Sequence, residues 1–324
     1  MKTLLLKLKQ KSGLLTELQS DTIYGHFCWR LKERLGADKL TDFISNYQSG
    51  NPIFILSDGL LQVNDEIHFP RPYIFNKPVH KEIKAEKILE FVDRKKNKER
   101  NYLTLSEFNK FLSTGEIIIE DKKETDDVKK KKGMPLINGT LRVSVQIDRN
   151  NFGSSEGKLF SFNPRYTRED VSYVVLIKVL DDSAFDSYEC ESIIKEVFKV
   201  GFGKKKSSGY GQFEILSFGE FNDIKEPENS NAFMVLGNYL TTDADKVSPI
   251  GYEINTKYGK LGEELSGAEN PFKNPIVFLT AGSCFKTEIK KDFYGRITDN
   301  GEVSAAKEFV VQFGMPFTFR LKIV

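Results

Sequence analysis

The stretch from Gly201 to Gly211 constrains the fold more than any other part of the chain, because four glycines and three consecutive lysines separate two regular elements. Upstream of it, apolar residues recur at helical spacing across residues 187–199, which predicts a helix. Downstream of it, residues 212–218 alternate in character and predict a largely buried strand. This glycine loop, defined as residues 201–211, therefore joins a helix to a strand, and its glycines allow backbone conformations with positive φ.

The chemistry of the glycine loop favours an anion as its ligand. Glycine N–H groups can approach a phosphate without a Cβ in the way, lysine supplies positive charge and serine supplies hydroxyl donors. The residues that we expect to face the anion are Gly201, Gly203, Lys204, Lys205, Lys206, Ser207, Ser208, Gly209, Tyr210 and Gly211. A nucleotide-hydrolysing phosphate loop follows a strand and opens a helix, whereas this loop does the reverse, so that class is disfavoured. A cradle for the phosphates of a polynucleotide fits better, and a flexible, solvated connection is the alternative.

Length and composition limit the kind of protein that carries this loop. The 324 residues suffice for two domains, and the net charge of +2 excludes a general polycation, so a nucleic-acid site must be local. Three scattered cysteines (Cys28, Cys190 and Cys284) form no disulfide framework or zinc-site pattern and indicate a reducing compartment. Residues 1–10 do not resemble a signal peptide, and no apolar run reaches membrane-spanning length. We therefore expect a cytoplasmic protein without cofactor, metal or membrane contact.

The first part of the chain, residues 1–220, has the element order of an α+β, ferredoxin-like unit. Its predicted elements are a strand over residues 3–9, a helix over 22–35, a hairpin over 140–165, a strand over 171–180, a helix over 187–199 and a strand over 212–218. Ser20 or Asp21 is well placed to cap the first helix. The βαββαβ order is also that of the common RNA-recognition module, although the aromatic stacking motif of that module is absent.

A long hairpin at residues 140–165 interrupts this first unit. Its predicted strands cover residues 140–147 and 158–162, and the segment between them is rich in turn-forming residues. Arg142 and Arg149 lie on or near the hairpin.

The rest of the chain divides into an insertion and a second domain. Residues 70–133 form the insertion, which carries a charged segment at 77–100, a short helix at 106–112 and a second charged segment at 120–132. The segment at 120–132 is interpreted as a solvated loop, with a nucleic-acid arm as the alternative. Residues 221–324 form a β-rich second domain without a strong helix, and one interpretation is a degenerate copy of the first unit. Its predicted strands lie at residues 232–240, 251–257, 276–280, 309–313 and 317–323.

Several segments together resemble the RAMP superfamily of CRISPR proteins. They are residues 18–26 (Leu-Gln-Ser-Asp-Thr-Ile-Tyr-Gly-His), residues 147–149 (Ile-Asp-Arg) with Gly153, Leu159 and Phe160, the glycine loop, residues 256–262 (Thr-Lys-Tyr-Gly-Lys-Leu-Gly) and residues 281–285 (Ala-Gly-Ser-Cys-Phe). Within that superfamily the chain resembles the fourth subunit of the type III-A (Csm) effector complex, the Csm-four proteins of the Cas-five group. The resemblance covers nearly the whole chain, and the glycine loop alone would indicate only the superfamily.

The resemblance implies a non-catalytic RNA-binding subunit that holds the 5′ repeat-derived tag of the guide RNA (crRNA) in antiviral defence. It also implies contacts to the large Cas-ten subunit and to the Csm-three backbone subunit, with target RNA nearby in the complex. In this family a projecting hairpin, the thumb, displaces a base near the boundary between tag and guide. Residues 148–158 are the candidate thumb here, and the insertion around 77–100 competes. The RNA-binding residues that we assign are those of the glycine loop together with Ser20, His26, Arg142, Arg149, Lys257 and Lys260.

Three other functions compete with RNA binding by a non-catalytic subunit. A Cas-six-like, metal-independent endoribonuclease that processes crRNA would use His26 as a general acid or base, although a helix histidine is more often packed or hydrogen-bonded. A metal-dependent nuclease would use Asp21, which is more simply explained as a helix cap. A scaffold that binds only protein would leave the lysines of the glycine loop without a role.

Overall fold

The computed structural model describes residues 1–74, 101–118, 135–150, 152–304 and 309–323. Its helices are α1 (Ser20–Leu35), α2 (Ala37–Gln48), α3 (Leu105–Thr114), α4 (Asp182–Ser187) and α5 (Cys190–Val200). The strands up to residue 220 are β1 (Lys2–Gln10), β2 (Phe54–Leu56), β3 (Leu60–Val63), β4 (Glu66–Pro70), β5 (Tyr102–Leu103), β6 (Ile137–Gly139), β7 (Arg142–Ile147), β8 (Ser154–Phe162), β9 (Arg165–Thr167), β10 (Val171–Val179) and β11 (Phe213–Glu220). The remaining strands are β12 (Ala232–Val235), β13 (Val247–Gly251), β14 (Ile254–Lys257), β15 (Ile276–Leu279), β16 (Cys284–Thr287), β17 (Arg296–Ile297), β18 (Phe313–Gly314) and β19 (Thr318–Leu321).

The larger sheet has the strand order β11-β1-β10-β3-β4-β5, and β2 also pairs with β10. Its neighbouring strands are antiparallel. The chain leaves β1 through α1 and α2 to reach β2 and β3, and it leaves β10 through α4 and α5 to reach β11. Two helical connections around a central β1–β10 pair are the arrangement expected of a βαββαβ unit. The predicted mixed α/β fold is therefore confirmed.

The pattern of apolar residues explains why β1 and β10 lie at the centre of this sheet. Leu6 and Leu8 of β1 are two residues apart, so both point to the face that the helices cover. In β10, Val175 points to the same face, while Val174 and Leu176 belong to a different core on the opposite face. The near-continuous apolar run of β10 thus predicted correctly a strand that is buried on both sides.

The helices cover one face of the larger sheet with a core rich in aromatic side chains. Tyr24 of α1 stacks on Phe313 with 4.2 Å between the ring centres and on Phe54 of β2 with 5.3 Å. Phe27 and Phe43 complete this cluster and are fully buried. Burial of an aromatic side chain of this size stabilises a fold by roughly 1.5–3 kcal/mol. The core therefore fixes the position of α1, which carries several of the predicted site residues.

A second antiparallel sheet, in the order β13-β16-β12-β19, covers the opposite face of the larger sheet. Met234 of β12 and Phe317, beside β19, lie in one core with Leu176 of β10 and Phe108 of α3. The two predicted parts, before and after residue 220, consequently share a core. The boundary between two domains at residue 220 remains a prediction.

The start of α1 differs from the sequence prediction. The helix begins at Ser20, its N-cap residue is Gln19, and Gln19 makes no side-chain capping bond. Ser20 and Asp21 as cap residues were therefore a wrong prediction. The reason is tertiary, because the Asp58 carboxylate accepts the Ser20 N–H at 2.7 Å and replaces a local cap. The helix α2 was not predicted, whereas α3 confirms the short helix that was expected in the insertion.

Strand β11 was predicted to be largely buried, and this prediction is wrong. Phe213 is buried, but most of the later side chains are exposed or half-buried, and Leu216 is 46% exposed. The cause is the position of β11 at the edge of the sheet, where Leu216 is not covered by another layer.

The part after residue 220 is β-rich, as predicted, although several strands are shorter than expected. The predicted strand at 232–240 ends at Val235, and from the one predicted at 309–313 only Phe313 is in a strand. Among the described residues after 220 there are single turns of 3-10 helix and no α-helix. The charged segments at 77–100 and 120–132 lie outside the described residues. Within the described ranges, no helix is long and apolar enough to cross a membrane.

Candidate nucleic-acid interface

The glycine loop is closed at its base by backbone hydrogen bonds. The Phe202 N–H donates to the Gly211 carbonyl at 2.9 Å, and the Gly211 N–H donates to the Gly13 carbonyl at 2.9 Å. Between these contacts the Phe202 ring is fully buried beneath the loop. Gly211 has φ of 68°, and a Cβ there would lie 1.9 Å from the Phe202 carbonyl oxygen. Only glycine fits this position, because any Cβ there would collide with the Phe202 backbone.

Two backbone N–H groups of the loop are used by the protein itself. The Gly203 N–H donates to His26 Nε2 at 3.0 Å, and the Lys204 N–H donates to Thr16 Oγ1 at 2.9 Å. These two donors are therefore not free for an anion. The next three N–H groups, those of Lys205, Lys206 and Ser207, make no hydrogen bond within the part of the chain that the structure describes.

The backbone around these three N–H groups has the geometry of an anion-binding concavity. Lys205 has a left-handed conformation with φ of 58°, and a single turn of 3-10 helix, Lys206–Ser208, follows it. A left-handed residue next to right-handed ones turns successive N–H groups towards one side, where they can bind an anion together. The loop thus offers backbone N–H donors for an anion, but they begin at Lys205, two residues after Gly203.

The three lysines of the loop are not equivalent. Lys204 is exposed and has no ion pair among the described residues. Lys205 Nζ lies 3.9 Å from the ring centre of Phe162 and 4.6 Å from that of Phe160, which is a cation–π arrangement. Lys206 forms an ion pair with Glu263. Lys204 is therefore the lysine whose charge is freely available to a phosphate.

His26 holds the loop rather than facing solvent. Its ring packs against Phe202 with 4.8 Å between ring centres, and its Nε2 accepts the Gly203 N–H. Burial, followed by the positive charge of Lys206, lowers the pKa of His26 from 6.5 to about 4. The ring is consequently neutral near pH 7, with its proton on Nδ1. A general acid or base at Nε2 would first have to give up its bond to the loop.

The lowered pKa of His26 predicts a pH dependence of stability. Because the folded-state pKa is about 4 and the ordinary value is 6.5, the unfolded chain takes up the proton first as the pH falls. The contribution of this contact is complete above about pH 6.5 and declines by about 1.4 kcal/mol per pH unit towards about pH 4, or about 3 kcal/mol in all. Urea unfolding of the full chain between about pH 7 and about pH 4.5 measures this decline.

The matched variant for this measurement is His26→Gln, because a glutamine oxygen can accept the Gly203 N–H and does not titrate. Lys206, Glu263 and Arg30, the charged groups that influence the ring, remain in both proteins. The free energy of unfolding of wild type minus that of the variant should therefore fall as the pH falls. A difference that stays constant over this range would contradict the role of His26 as a neutral acceptor.

Asp21 lies in a buried network that connects α1 to the part after residue 220. Its carboxylate is bound by Lys257 Nζ at 2.6 Å, by Asn238 Nδ2 at 2.7 Å and by Gln312 Nε2 at 2.6 Å. Lys257 Nζ also donates to Thr22 Oγ1 at 3.0 Å. The carboxylate is thus surrounded by nitrogen donors, which is the setting of a structural ion pair. Within the described residues, no group of three or more His, Cys, Asp or Glu side chains could hold a metal ion.

Two residues that we assigned to RNA binding belong to this network. Lys257 is paired with Asp21, so the expectation of a free phosphate contact at Lys257 does not fit the structure. Ser20 is buried, and its hydroxyl accepts the Asn238 N–H at 3.2 Å. Burial raises the pKa of the neighbouring Asp58 to about 7, with the charge of Asp21 adding to the effect. Both predicted residues therefore join parts of the fold instead of facing a ligand.

The β7–β8 hairpin projects beside the glycine loop and exposes apolar side chains. Phe152 at its turn is 85% exposed, and Leu159 is 70% exposed. The base of the hairpin contacts the loop, since Phe162 lies 5.5 Å from the Tyr210 ring and beneath Lys205. This contact between two predicted RNA-binding elements was not predicted.

Arg142 and Arg149 on the hairpin are exposed, as is Lys260 in the segment after β14. None of the three has an ion pair among the described residues. They are therefore free to contact a polynucleotide, and with Lys204 they are the assigned cations that the structure leaves available.

Sequence reasoning missed the residues that shape the loop from outside. Thr16 accepts the Lys204 N–H, and Glu263 neutralises the charge of Lys206. Phe160 and Phe162 lie under Lys205. Phe160 is itself one of the residues that carried the resemblance, and Glu263 directly follows residues 256–262, but no local pattern marks the contact of either residue with the loop. Their partners are distant in the sequence, and folding brings them together.

In sequence, the chain is similar to a known CRISPR protein. The chain is 27% identical over 219 residues to the CRISPR system Cms protein Csm4 of Methanocaldococcus jannaschii, a match that spans 63% of this chain and 57% of that relative. The match therefore covers little more than half the length of the relative. No family model matches the chain.

Solved structures share the fold over the full length. A chain in the crystal structure of a Csm3–Csm4 subcomplex of the type III-A CRISPR-Cas interference complex superposes with a TM-score of 0.64, at 19% identity, over 99% of this chain and 100% of that chain. A chain of a Csm1–Csm4 cassette in complex with cA4 superposes with a TM-score of 0.61, at 17% identity, over 100% and 99%. The resemblance stated from the sequence is therefore confirmed, because the chain is similar to Csm4 in sequence and in fold.

Proposed function

From a chain that is similar to Csm4 in sequence and in fold, we propose a non-catalytic, RNA-binding subunit of a type III-A CRISPR (Csm) interference complex. It holds the 5′ repeat-derived tag of the crRNA at the glycine loop. The observation that carries this proposal is a row of three N–H groups, those of Lys205, Lys206 and Ser207, which have no partner among the described residues and lie next to the exposed Lys204. Donors and a free cation in this order suit the phosphates of a single strand.

The hairpin extends this site towards the bases. Two exposed aromatic side chains of the hairpin, Phe152 at its turn and Phe160 close to the glycine loop, offer surfaces on which unpaired RNA bases can stack. Arg142 and Arg149 add positive charge along the same element. We assign the thumb role to residues 148–158, because this hairpin exposes Phe152 at its turn; the competing segment at 77–100 lies outside the described residues.

Protein partners complete the proposal. The similar chains come from structures in which Csm4 is bound to Csm3 or to Csm1, which supports docking to the Csm-three backbone subunit and to the large Cas-ten subunit. A surface suited to such docking lies on the β14–β15 pair, where Tyr252, Ile254 and Val277 are about half exposed. Within the complex, target RNA would pass nearby, and a cytoplasmic location follows from that role.

Replacing Lys204 tests the proposal directly. Lys204→Ala should weaken binding of a fluorescently labelled single-stranded RNA that carries the tag sequence of the chain's own CRISPR repeat. One phosphate contact is lost, so the slope of log affinity against log salt should fall by about 0.7. The triple change of Lys204, Lys205 and Lys206 to alanine should flatten the salt curve further. Fluorescence anisotropy at several salt concentrations measures both effects.

The control is Lys199→Ala, which removes an exposed lysine at the end of α5, just before the loop. It changes the net charge equally and should leave the salt slope unchanged. If the triple variant binds the tag RNA as wild type does, with the same slope, the loop is only a connection. Gel electrophoresis of the same labelled RNA tests the enzymatic alternative. RNA cleavage by wild type that is lost in His26→Ala would favour a Cas-six-like endoribonuclease.

A further inference from the structure

Two cations beside the glycine loop face a carboxylate of the protein itself. Glu263 lies in a turn after β14 and forms an ion pair with Lys206. Arg30 of α1 approaches the same carboxylate at 3.9 Å and is also paired with Glu33 at 2.6 Å. The side chains of Lys206 and Arg30 are only 22% and 14% exposed, so they form a partly enclosed positive site.

The carboxylate that fills this site is charged. Burial acts to raise the pKa of Glu263, but the hydrogen bond and charge of Lys206, with the charge of Arg30, hold it below its ordinary value. Glu263 therefore stays ionised at neutral pH and occupies the positive site as an anion.

The backbone at Glu263 is strained. Its φ is 47°, a left-handed conformation that a residue with a long side chain seldom adopts. The preceding Leu261 is buried against Val303 and Val310, which anchors the turn. The surrounding structure thus holds the carboxylate against Lys206 at a conformational cost, and the Glu263 side chain is 27% exposed.

This site adjoins the loop N–H groups for which the described part of the chain offers no partner. Lys206 carries one of these three N–H groups and also supplies the ammonium that Glu263 neutralises. An anion that replaced the carboxylate would meet the side chains of Lys206 and Arg30 together.

We propose that Lys206 and Arg30 form a second phosphate-binding subsite, and that Glu263 occupies it as an internal competitor which an RNA phosphate must displace. This inference rests on the proposed function, since the phosphate belongs to the same RNA that the glycine loop holds. Glu263 thereby sets a threshold, because only a strand whose neighbouring phosphates already engage Lys204 displaces it efficiently.

The test compares Glu263→Gln with Glu264→Gln in the full chain, using the same labelled tag RNA. Glu264 lies on the same turn and pairs with Lys32 of α1 at 2.7 Å, so its replacement changes the net charge equally. Removal of a competing ion pair of this exposure should tighten binding about two- to fivefold for Glu263→Gln, and Glu264→Gln should change it less. In a Lys206→Ala background the gain from Glu263→Gln should disappear.

Equal gains in the two variants, weaker binding by Glu263→Gln, or a gain that persists without Lys206 would each overturn the inference. If neither wild type nor any variant binds the RNA, the proposed function is wrong, and inorganic phosphate then decides the subsite. Phosphate should raise the melting temperature of Glu263→Gln more than that of Glu264→Gln. An equal effect on both variants would show that no such subsite exists.

Discussion

Gly211→Ala should destabilise the protein by about 3 kcal/mol or more and abolish binding of the tag RNA. A Cβ at this position would lie 1.9 Å from the Phe202 carbonyl oxygen, so the backbone would have to separate. The left-handed φ of 68° adds roughly 1–2 kcal/mol of strain for alanine. Separation would also break the hydrogen bond from Phe202 to Gly211 and disturb the buried Phe202 ring. Urea unfolding and fluorescence anisotropy with labelled RNA measure the two losses.

Gly209→Ala is the matched control within the same loop. Gly209 has a similar φ of 83°, but a Cβ there meets no atom within 4 Å. Only conformational strain remains, and we expect a loss of about 1 kcal/mol with RNA binding largely retained. The close approach to the Phe202 backbone is therefore a property of Gly211 and not of Gly209. Equal losses in both variants would show that φ alone, and not the contact with Phe202, determines the closure.

Asp21→Ala should cost about 3–5 kcal/mol of folding stability, the range for removing one partner of a buried ion pair. The change leaves Lys257 without its carboxylate and breaks the bonds from Asn238 and Gln312. It also affects Lys273, whose pKa burial lowers to about 8 while Asp21 acts to raise it. Urea unfolding of the full chain measures the loss. If Asp21 has a structural role, Asp21→Ala should lose this stability, and neither wild type nor variant should cut RNA, with or without magnesium.

Glu214→Ala provides the comparison for Asp21. Glu214 pairs with Lys11 at 2.8 Å, a distance close to that of the Asp21 pair, but its side chain is 52% exposed. Exposed pairs contribute little because water screens them, so stability should hardly change. If Asp21→Ala is as mild as this control, the buried network does not hold the two parts together. RNA cleavage that is lost in Asp21→Ala would instead favour the metal-dependent alternative.

The sequence predicted well those elements whose local pattern decides them. The apolar run of β10 required burial on both faces, and the helical spacing before the glycine loop required α5. The exposure of the edge strand β11 and the first residue of α1 were predicted less well, because both depend on residues that are distant in the sequence. Leu216 of β11 is exposed since no layer covers it, and α1 begins at Ser20 since Asp58 accepts its N–H.

By itself, the sequence determined that a glycine-rich, lysine-rich loop joins a helix to a strand, because glycine, lysine and apolar spacing are local properties of the chain. Only the tertiary structure decided which charges of that loop are available. Lys206 is neutralised by Glu263, 57 residues away, and Lys257 by Asp21, 236 residues away, whereas Lys204 has no such partner among the described residues. Ion pairs form between groups that folding brings within a few ångströms, and their energy depends on burial and distance, which a linear sequence does not contain.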